Sequence, residues 1–82
     1  MFLEIITPDN KVFSGEVNGV YFPGADGGFE VLNNHAPLIS TLSKGSIKIR
    51  STGSEQNIAI DGGLVEVLNN KIVVLAEAVI EQ

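Results

Sequence analysis

Turn-forming residues interrupt this chain so often that no long helix fits between them. Three prolines and nine glycines are spread along 82 residues, and they separate short apolar runs about every ten residues. Proline removes a backbone donor, and glycine permits the positive φ of tight turns. The pattern predicts an all-β protein, a small flattened β-sandwich or barrel of about eight to ten short strands without a long helix. Residues 1–82 form a single domain in this prediction.

The predicted strands are the apolar runs between these turns. They cover residues 3–7, 11–14, 17–22, 28–32, 38–42, 46–50, 57–61, 64–68 and 71–75. Strict alternation predicts a core that contains Ile47, Ile49, Ile58, Ile60 and Val67. Residues 69–70, an Asn-Asn pair, suit a two-residue hairpin turn. Residues 76–82 are expected to end the last strand in a short tail, because so short a segment does not sustain an isolated helix.

The last predicted hairpin breaks the alternation. Leu64, Val65, Val67 and Leu68 are apolar on both faces of their strand, and so is the run 72–75. A strand in a small sandwich needs only one apolar face. Two explanations stay open: a loop of the same chain covers the second face, or another subunit covers it.

Composition excludes several classes of protein. The net charge of −5 opposes binding to nucleic acid or to anionic membranes, which needs a basic surface. The chain has no cysteine, so disulfides and thiolate metal sites are excluded. No apolar run approaches the roughly 20 residues of a membrane span. The N-terminus enters a strand pattern directly, which predicts a cytosolic prokaryotic chain without a signal peptide.

Residues that could carry chemistry are sparse. His35 is the only histidine, and without a nucleophile or a cluster of ligands it is expected to be a turn residue. The glycine-rich segment 24–28 lacks the Lys-Ser/Thr ending and the following helix of a phosphate loop. We therefore predict no catalytic residue, no metal site and no cofactor.

Lys71 supports one alternative function. Small all-β carrier domains present a modifiable lysine at a hairpin tip, and Lys71 follows the Asn-Asn turn directly. Carriers usually place this lysine inside the turn, however, and here it opens an apolar strand. A lysine that solubilises the end of a strand is therefore favoured over a carrier site.

Three segments resemble a known family. Residues 3–8 (LEIITP), 27–42 (GGFEVLNNHAPLISTL) and 61–67 (DGGLVEV) are similar, in order and spacing, to the N-terminal β-domain of the epsilon subunit of the F-type ATP synthase. The resemblance covers essentially the whole chain. It implies a non-catalytic subunit of the rotating central stalk, which links the gamma subunit to the polar loops of the c-ring in proton- or sodium-driven ATP synthesis. It also implies a peripheral location, within the ATP synthase, on the cytoplasmic side of the prokaryotic plasma membrane.

The resemblance assigns residues to two contacts. The surface that faces the c-ring comprises Asp26, Gly27, Gly28, Phe29, Glu30, Asn33, Asn34 and His35. The surface that faces gamma lies in residues 35–42, with His35, Pro37, Ser40 and Leu42, and includes Val73 of the last hairpin. Many relatives carry a carboxylate at the position of Gly28, glycine at that of Glu30 and Pro-Gly at Asn33-Asn34. The acidic contact with the c-ring is therefore expected at Asp26 or Glu30.

The family usually adds two C-terminal helices that regulate the motor and, in some bacteria, bind ATP. This chain ends at Gln82, where those helices would begin, so we expect neither an inhibitory arm nor ATP binding. A naturally short form and a truncated one both fit the sequence, and the lack of tag or vector residues favours the first.

Overall fold

Seven strands and no helix form from residues 1–80, the part of the chain that the computed structural model describes. The strands are β1 (Phe2–Ile6), β2 (Lys11–Glu16), β3 (Gly19–Phe22), β4 (Phe29–Leu32), β5 (Leu38–Ser51), β6 (Ser54–Leu68) and β7 (Lys71–Ala76). The all-β class is confirmed. The strands number seven because the predicted segments 38–42 and 46–50 are one continuous strand, and 57–61 and 64–68 are another.

The strands form one open sheet in the order β2-β1-β7-β6-β5-β3-β4. Neighbours pair antiparallel except β1 and β7, which are parallel. The pairing of the long strands β5 and β6 is interrupted between Leu42↔Gly63 and Lys44↔Asp61, with the same register before and after. This interruption marks the bend between two layers. One layer consists of β2, β1, β7 and residues 64–68 and 38–42. The other consists of residues 54–60 and 46–51 with β3 and β4. These are called the first and the second layer below.

Both layers contribute to a single hydrophobic core. Every residue predicted for the core is buried: Ile47, Ile49, Ile58, Ile60 and Val67. The first layer adds Leu3, Ile5, Val65, Ile72 and Val74, and the second layer adds Val20, Phe22 and Val31. No polar side chain among residues 1–80 is buried. Burial of apolar surface, at roughly 25 cal/mol per Å², therefore holds the domain together.

The β6–β7 turn and the bend within β6 need residues with unusual backbone freedom. Asn69 and Asn70 have φ values of 51° and 62°, so the predicted Asn-Asn hairpin is confirmed, and these residues tolerate the left-handed region better than most. A Cβ atom at Gly63 would overlap the carbonyl oxygen of Leu75. Glycine at this position therefore lets β6 approach β7 at the bend.

The segment after β7 pairs with β6 in the second layer. Glu77 N donates to Gly62 O (3.0 Å), Asp61 N donates to Ala78 O (3.1 Å) and Ile80 N donates to Ala59 O (2.8 Å). The predicted short tail is thus an ordered edge segment as far as Ile80. Glu81 and Gln82, which the prediction included in the tail, lie outside the described residues.

Candidate functional site

The outer surface of the first layer is largely apolar. Outward positions of β5, β6 and β7 place five apolar side chains side by side on it: Ile39, Leu64, Leu68, Val73 and Leu75. This set is called the apolar face below. Ile39 is 67% exposed, Leu75 51%, Leu68 48% and Leu64 40%, whereas Val73 is partly buried. No loop within residues 1–80 covers them, so the explanation that invoked a loop of the same chain finds no support in the described part of the chain.

The outer surface of the second layer is polar. It carries Tyr21, Glu30, Lys48, Arg50 and Asn57, called the polar face below. Arg50 forms an ion pair with Glu30 across the sheet, and the Lys48 ammonium lies 5.6 Å from the centroid of the Tyr21 ring. Two charges of this face, those of Arg50 and Glu30, are therefore paired within the chain. Its exposed apolar side chain is Leu32, at the end of β4.

The loop before β4 holds the first group of residues predicted to face the c-ring. Gly27 has a φ of 125°, and a Cβ atom at Gly28 would overlap the Tyr21 hydroxyl. Phe29 anchors the loop by packing on Phe22 at a centroid distance of 5.6 Å. Asp26 is exposed and has no ion pair among the described residues. Since Glu30 is paired with Arg50, Asp26 is the more available carboxylate.

The turn after β4 holds the second group. Asn33 Oδ1 accepts a hydrogen bond from the Met1 ammonium (2.9 Å), and Asn34 N donates to Asn70 Oδ1 (2.8 Å). Asn34 adopts a left-handed φ of 62°. His35 Nδ1 lies 2.7 Å from Ala36 O, a local turn contact of the kind predicted for this residue. The structure therefore joins this turn to the N-terminus and to the β6–β7 hairpin.

The two groups lie at opposite ends of β4. That strand pairs with β3 from Phe22↔Phe29 to Gly19↔Leu32, and at ~3.3 Å per residue its ends are about 10 Å apart. Because β4 ends the strand order of the sheet, the two groups lie along one edge of the second layer. A partner would have to follow this edge to contact both groups.

The residues predicted to face gamma are on both sides of the first layer. Leu42 is only 3% exposed, and Ser40 is in register with the buried Val65. Both point inward, because the even-numbered positions of this part of β5 face the core. The prediction that Leu42 belongs to an exposed patch is therefore wrong. The outward positions are those of Ile39 and Thr41.

The other predicted members of that surface are accessible. Pro37 is exposed and lies close to Ile39 in sequence, and His35 lies in the turn that precedes both residues. Val73, on β7, is in register with Glu66 of β6, which is in turn in register with Ile39. Val73 therefore lies within the apolar face, as its place in the doubly apolar hairpin suggested.

The sequence prediction included Ile39 in segment 35–42 and placed Leu64, Leu68 and Leu75 in the doubly apolar last hairpin. Of the apolar face it named only Val73 individually, and it did not single out Glu66. The available signal was alternation within 38–42 and 64–68. If the buried Val65 and Val67 define the inner face, then the even-numbered residues of segment 64–68 face outward. The antiparallel partners of those residues on β5 and β7 face outward as well.

Residues 1–80 contain no cluster of histidine, cysteine and carboxylate side chains that could bind a metal. Lys71 opens β7, and its ammonium lies 6.0 Å from the centroid of the Phe2 ring. It is therefore not held within the turn, as a carrier lysine usually is. None of the described residues belongs to a helix that could cross a membrane.

Comparison with known families matches all 82 residues of the chain, 1–82, to the β-sandwich domain of the ATP synthase delta/epsilon chain. The ATP synthase epsilon chain of Desulforamulus reducens is 44% identical over 75 residues, which are 92% of this chain and 57% of that relative. The epsilon chain of Chlorobium limicola is 44% identical over 78 residues, 94% of this chain and 89% of that relative. The chain thus spans little more than half of the first relative and most of the second.

Solved structures share the fold. A chain of the Tetrahymena thermophila mitochondrial ATP synthase central stalk and c-ring superposes with a TM-score of 0.85 at 16% identity, covering 98% of this chain and 65% of that one. A chain of the Euglena gracilis mitochondrial ATP synthase superposes with a TM-score of 0.88 at 18% identity, covering 95% and 51%. At these identities the likeness concerns the fold.

Proposed function

Because the chain belongs to the ATP synthase delta/epsilon chain β-sandwich family, we propose that it is a rotor subunit that connects the gamma subunit to the c-ring. It takes part in proton- or sodium-driven ATP synthesis without catalysing a reaction itself. As part of the membrane-associated complex, it sits peripherally on the cytoplasmic side of the prokaryotic plasma membrane. The carrier alternative at Lys71 loses its support, since both the family and the position of this lysine oppose it.

The observation that carries the proposal is the apolar face. Four of its large side chains are between 40% and 67% exposed, and they adjoin one another across paired strands. Contiguous apolar surface on a small soluble domain marks an interaction site, and the centre of a lasting interface is apolar. We assign this face to the gamma subunit.

The edge strand β4 and its two flanking turns are the second contact in this proposal. The turn after β4 borders the apolar face, since Asn34 N donates to Asn70 Oδ1 of the β6–β7 hairpin, whereas the loop before β4 lies at the other end of that strand. A connecting subunit needs two such surfaces. Asp26 is the acidic group that we assign to the polar loops of the c-ring, because Glu30 already pairs with Arg50.

The proposal excludes regulation by the β-domain alone. None of the described residues forms a phosphate-binding loop followed by a helix, which is the usual way to hold ATP phosphates. Calorimetry with ATP and the isolated domain should therefore show no micromolar binding. Reconstitution of the motor with and without this chain should show no ATP-dependent inhibition that requires it.

The primary test is binding to the gamma subunit of the same organism. The chain and gamma should elute as one complex in size-exclusion chromatography, and intact mass should show no lipoyl or biotinyl adduct on Lys71. An Asp26→Cys variant should crosslink to a cysteine placed in the polar loop of the c subunit. Glu55→Cys should not, because Glu55 lies on β6, which β5 and β3 separate from β4. Absence of a complex with gamma would refute the rotor assignment.

A further inference from the structure

Glu66 stands in the middle of the apolar face. Its neighbours across the sheet are Ile39 on β5 and Val73 on β7, and Leu64 and Leu68 flank it along β6. Residues two apart on a strand share a face, and directly paired residues lie closest of all. One carboxylate is thus surrounded by four apolar side chains.

One lysine, Lys71, is exposed and diagonal to Glu66 across β6 and β7, but no ion pair joins these two described side chains. The Lys71 ammonium lies over the Phe2 ring at 6.0 Å, and Lys11 Nζ lies 3.0 Å from Glu4 Oε2. No ion pair within residues 1–80 involves Glu66. In the isolated domain this carboxylate is exposed and relies on water. A partner that covered the apolar face would remove that water.

We infer that the apolar face receives a surface of gamma in which apolar side chains surround one lysine or arginine that pairs with Glu66. This rests on the proposed function and adds the chemistry of the partner. Burying a lone carboxylate is strongly unfavourable unless a cation and hydrogen bonds compensate it. The charge therefore selects the partner and fixes its register, while the apolar side chains supply the contact area.

A second copy of this chain fits the face poorly. In a symmetric dimer the same patch serves both subunits, so two central carboxylates would approach each other. Like charges across an interface disfavour association. A purely apolar partner fits poorly as well, since it would leave Glu66 buried without a counter-charge.

This inference is tested by whether removal of the Glu66 charge weakens or strengthens binding to gamma. The dissociation constant of the complex with gamma is measured for the unsubstituted chain, Glu66→Gln, Glu66→Leu and Glu55→Gln. Glu55 is the matched control, because it is an exposed carboxylate of the same strand on the outer side of the second layer. Urea unfolding of each variant establishes that its fold is retained.

Glu66→Gln and Glu66→Leu should both weaken binding about tenfold or more, and Glu55→Gln should leave it unchanged. Equal or tighter binding by Glu66→Leu would show that the partner is apolar at this point and would overturn the inference while leaving the rotor assignment intact. Failure of the unsubstituted chain to bind gamma would refute that assignment and this inference together.

Discussion

The two outer faces of the sandwich are made by the same two long strands, yet their chemistry is opposite. On the second layer, Lys48 and Arg50 of β5 interact with Tyr21 and Glu30 of the neighbouring strands. On the first layer, the outward position Ile39 of the same strand has no polar partner and is 67% exposed. Each half of β5 alternates, with inward residues even-numbered in 38–42 and odd-numbered in 46–50. The outward residues of one half can therefore suit solvent while those of the other suit a partner.

The difference also separates stability from binding. The polar face interacts with solvent and within itself through the Arg50–Glu30 pair, and the core beneath both faces contains no buried polar side chain among residues 1–80. The side chains of the apolar face therefore add little to folding while they remain in water. Their contribution is expected when a partner covers them.

The largest expected effect distinguishes two residues of β5, one with its side chain in the core and one with its side chain in solvent. Leu42 is buried and Ile39 is exposed, so Leu42→Ala should lower the free energy of unfolding by about 2–5 kcal/mol. Ile39→Ala should change it by less than about 0.5 kcal/mol. Urea titration of both variants measures the contrast. Similar losses in the two variants would mean that the apolar face belongs to the folding core.

A smaller effect is expected at the edge of the polar face. Gly28→Ala should destabilise the domain by about 1–3 kcal/mol, because its methyl group would overlap the Tyr21 hydroxyl and displace the ring. Gly15→Ala is the control, since a Cβ atom there meets Phe13 at an ordinary 3.8 Å. In a double-mutant cycle, Tyr21→Ala should relieve most of the Gly28→Ala loss. Additive losses would contradict this contact.

A new carboxylate should weaken binding to gamma when it is placed on the apolar face and should have no effect on the polar face. Ile39→Asp should weaken the complex with gamma at least about tenfold, or ~1.4 kcal/mol, because it buries an unpaired carboxylate at the interface. Asn57→Asp, on the polar face, should leave the dissociation constant unchanged. Isothermal titration calorimetry measures both. An effect of Asn57→Asp as large as that of Ile39→Asp would assign gamma to the opposite face.

The smallest expected effect concerns the ion pair of the polar face. Glu30 and Arg50 side chains are 40% and 46% exposed, and exposed pairs contribute only about 0.2–1 kcal/mol. Glu30→Gln should cost an amount in this range at low salt and almost nothing in 1 M NaCl, where the Debye length is ~3 Å. Asp26→Asn, which breaks no ion pair among the described residues, should be neutral. A larger loss for Asp26→Asn would show that the loop contributes more to folding than the pair does.

The sequence was sufficient for the class of fold and for the centre of the core. Turn residues separate the apolar runs, and alternation in 46–50 and 57–61 identifies the inward isoleucines. The Asn-Asn hairpin followed from residues that tolerate positive φ. These are local signals, and each depends on a few consecutive residues.

Continuity and direction were harder to predict because they depend on distant pairing. Gly62-Gly63 has the composition of a turn, yet β6 continues through it because β5 pairs with the strand before and after it. On its other edge, β6 pairs with β7 from Gly63 onward and with residues 77–80 before that. Residues 38–42 include apolar side chains on both faces, so their inward side is decided only by register with Val65 and Val67. This is why Leu42 was predicted on the wrong surface, and why Glu66 was not recognised.

The continuous hairpin of β5 and β6 also has a mechanical consequence. Its 13 registered residue pairs extend through both layers, so the layers are joined by a hydrogen-bonded ribbon and not by flexible loops alone. A twisting force applied to the apolar face and resisted at the β4 edge would pass through this ribbon. Many backbone bonds would then share the strain, and the two surfaces would turn together with little lag.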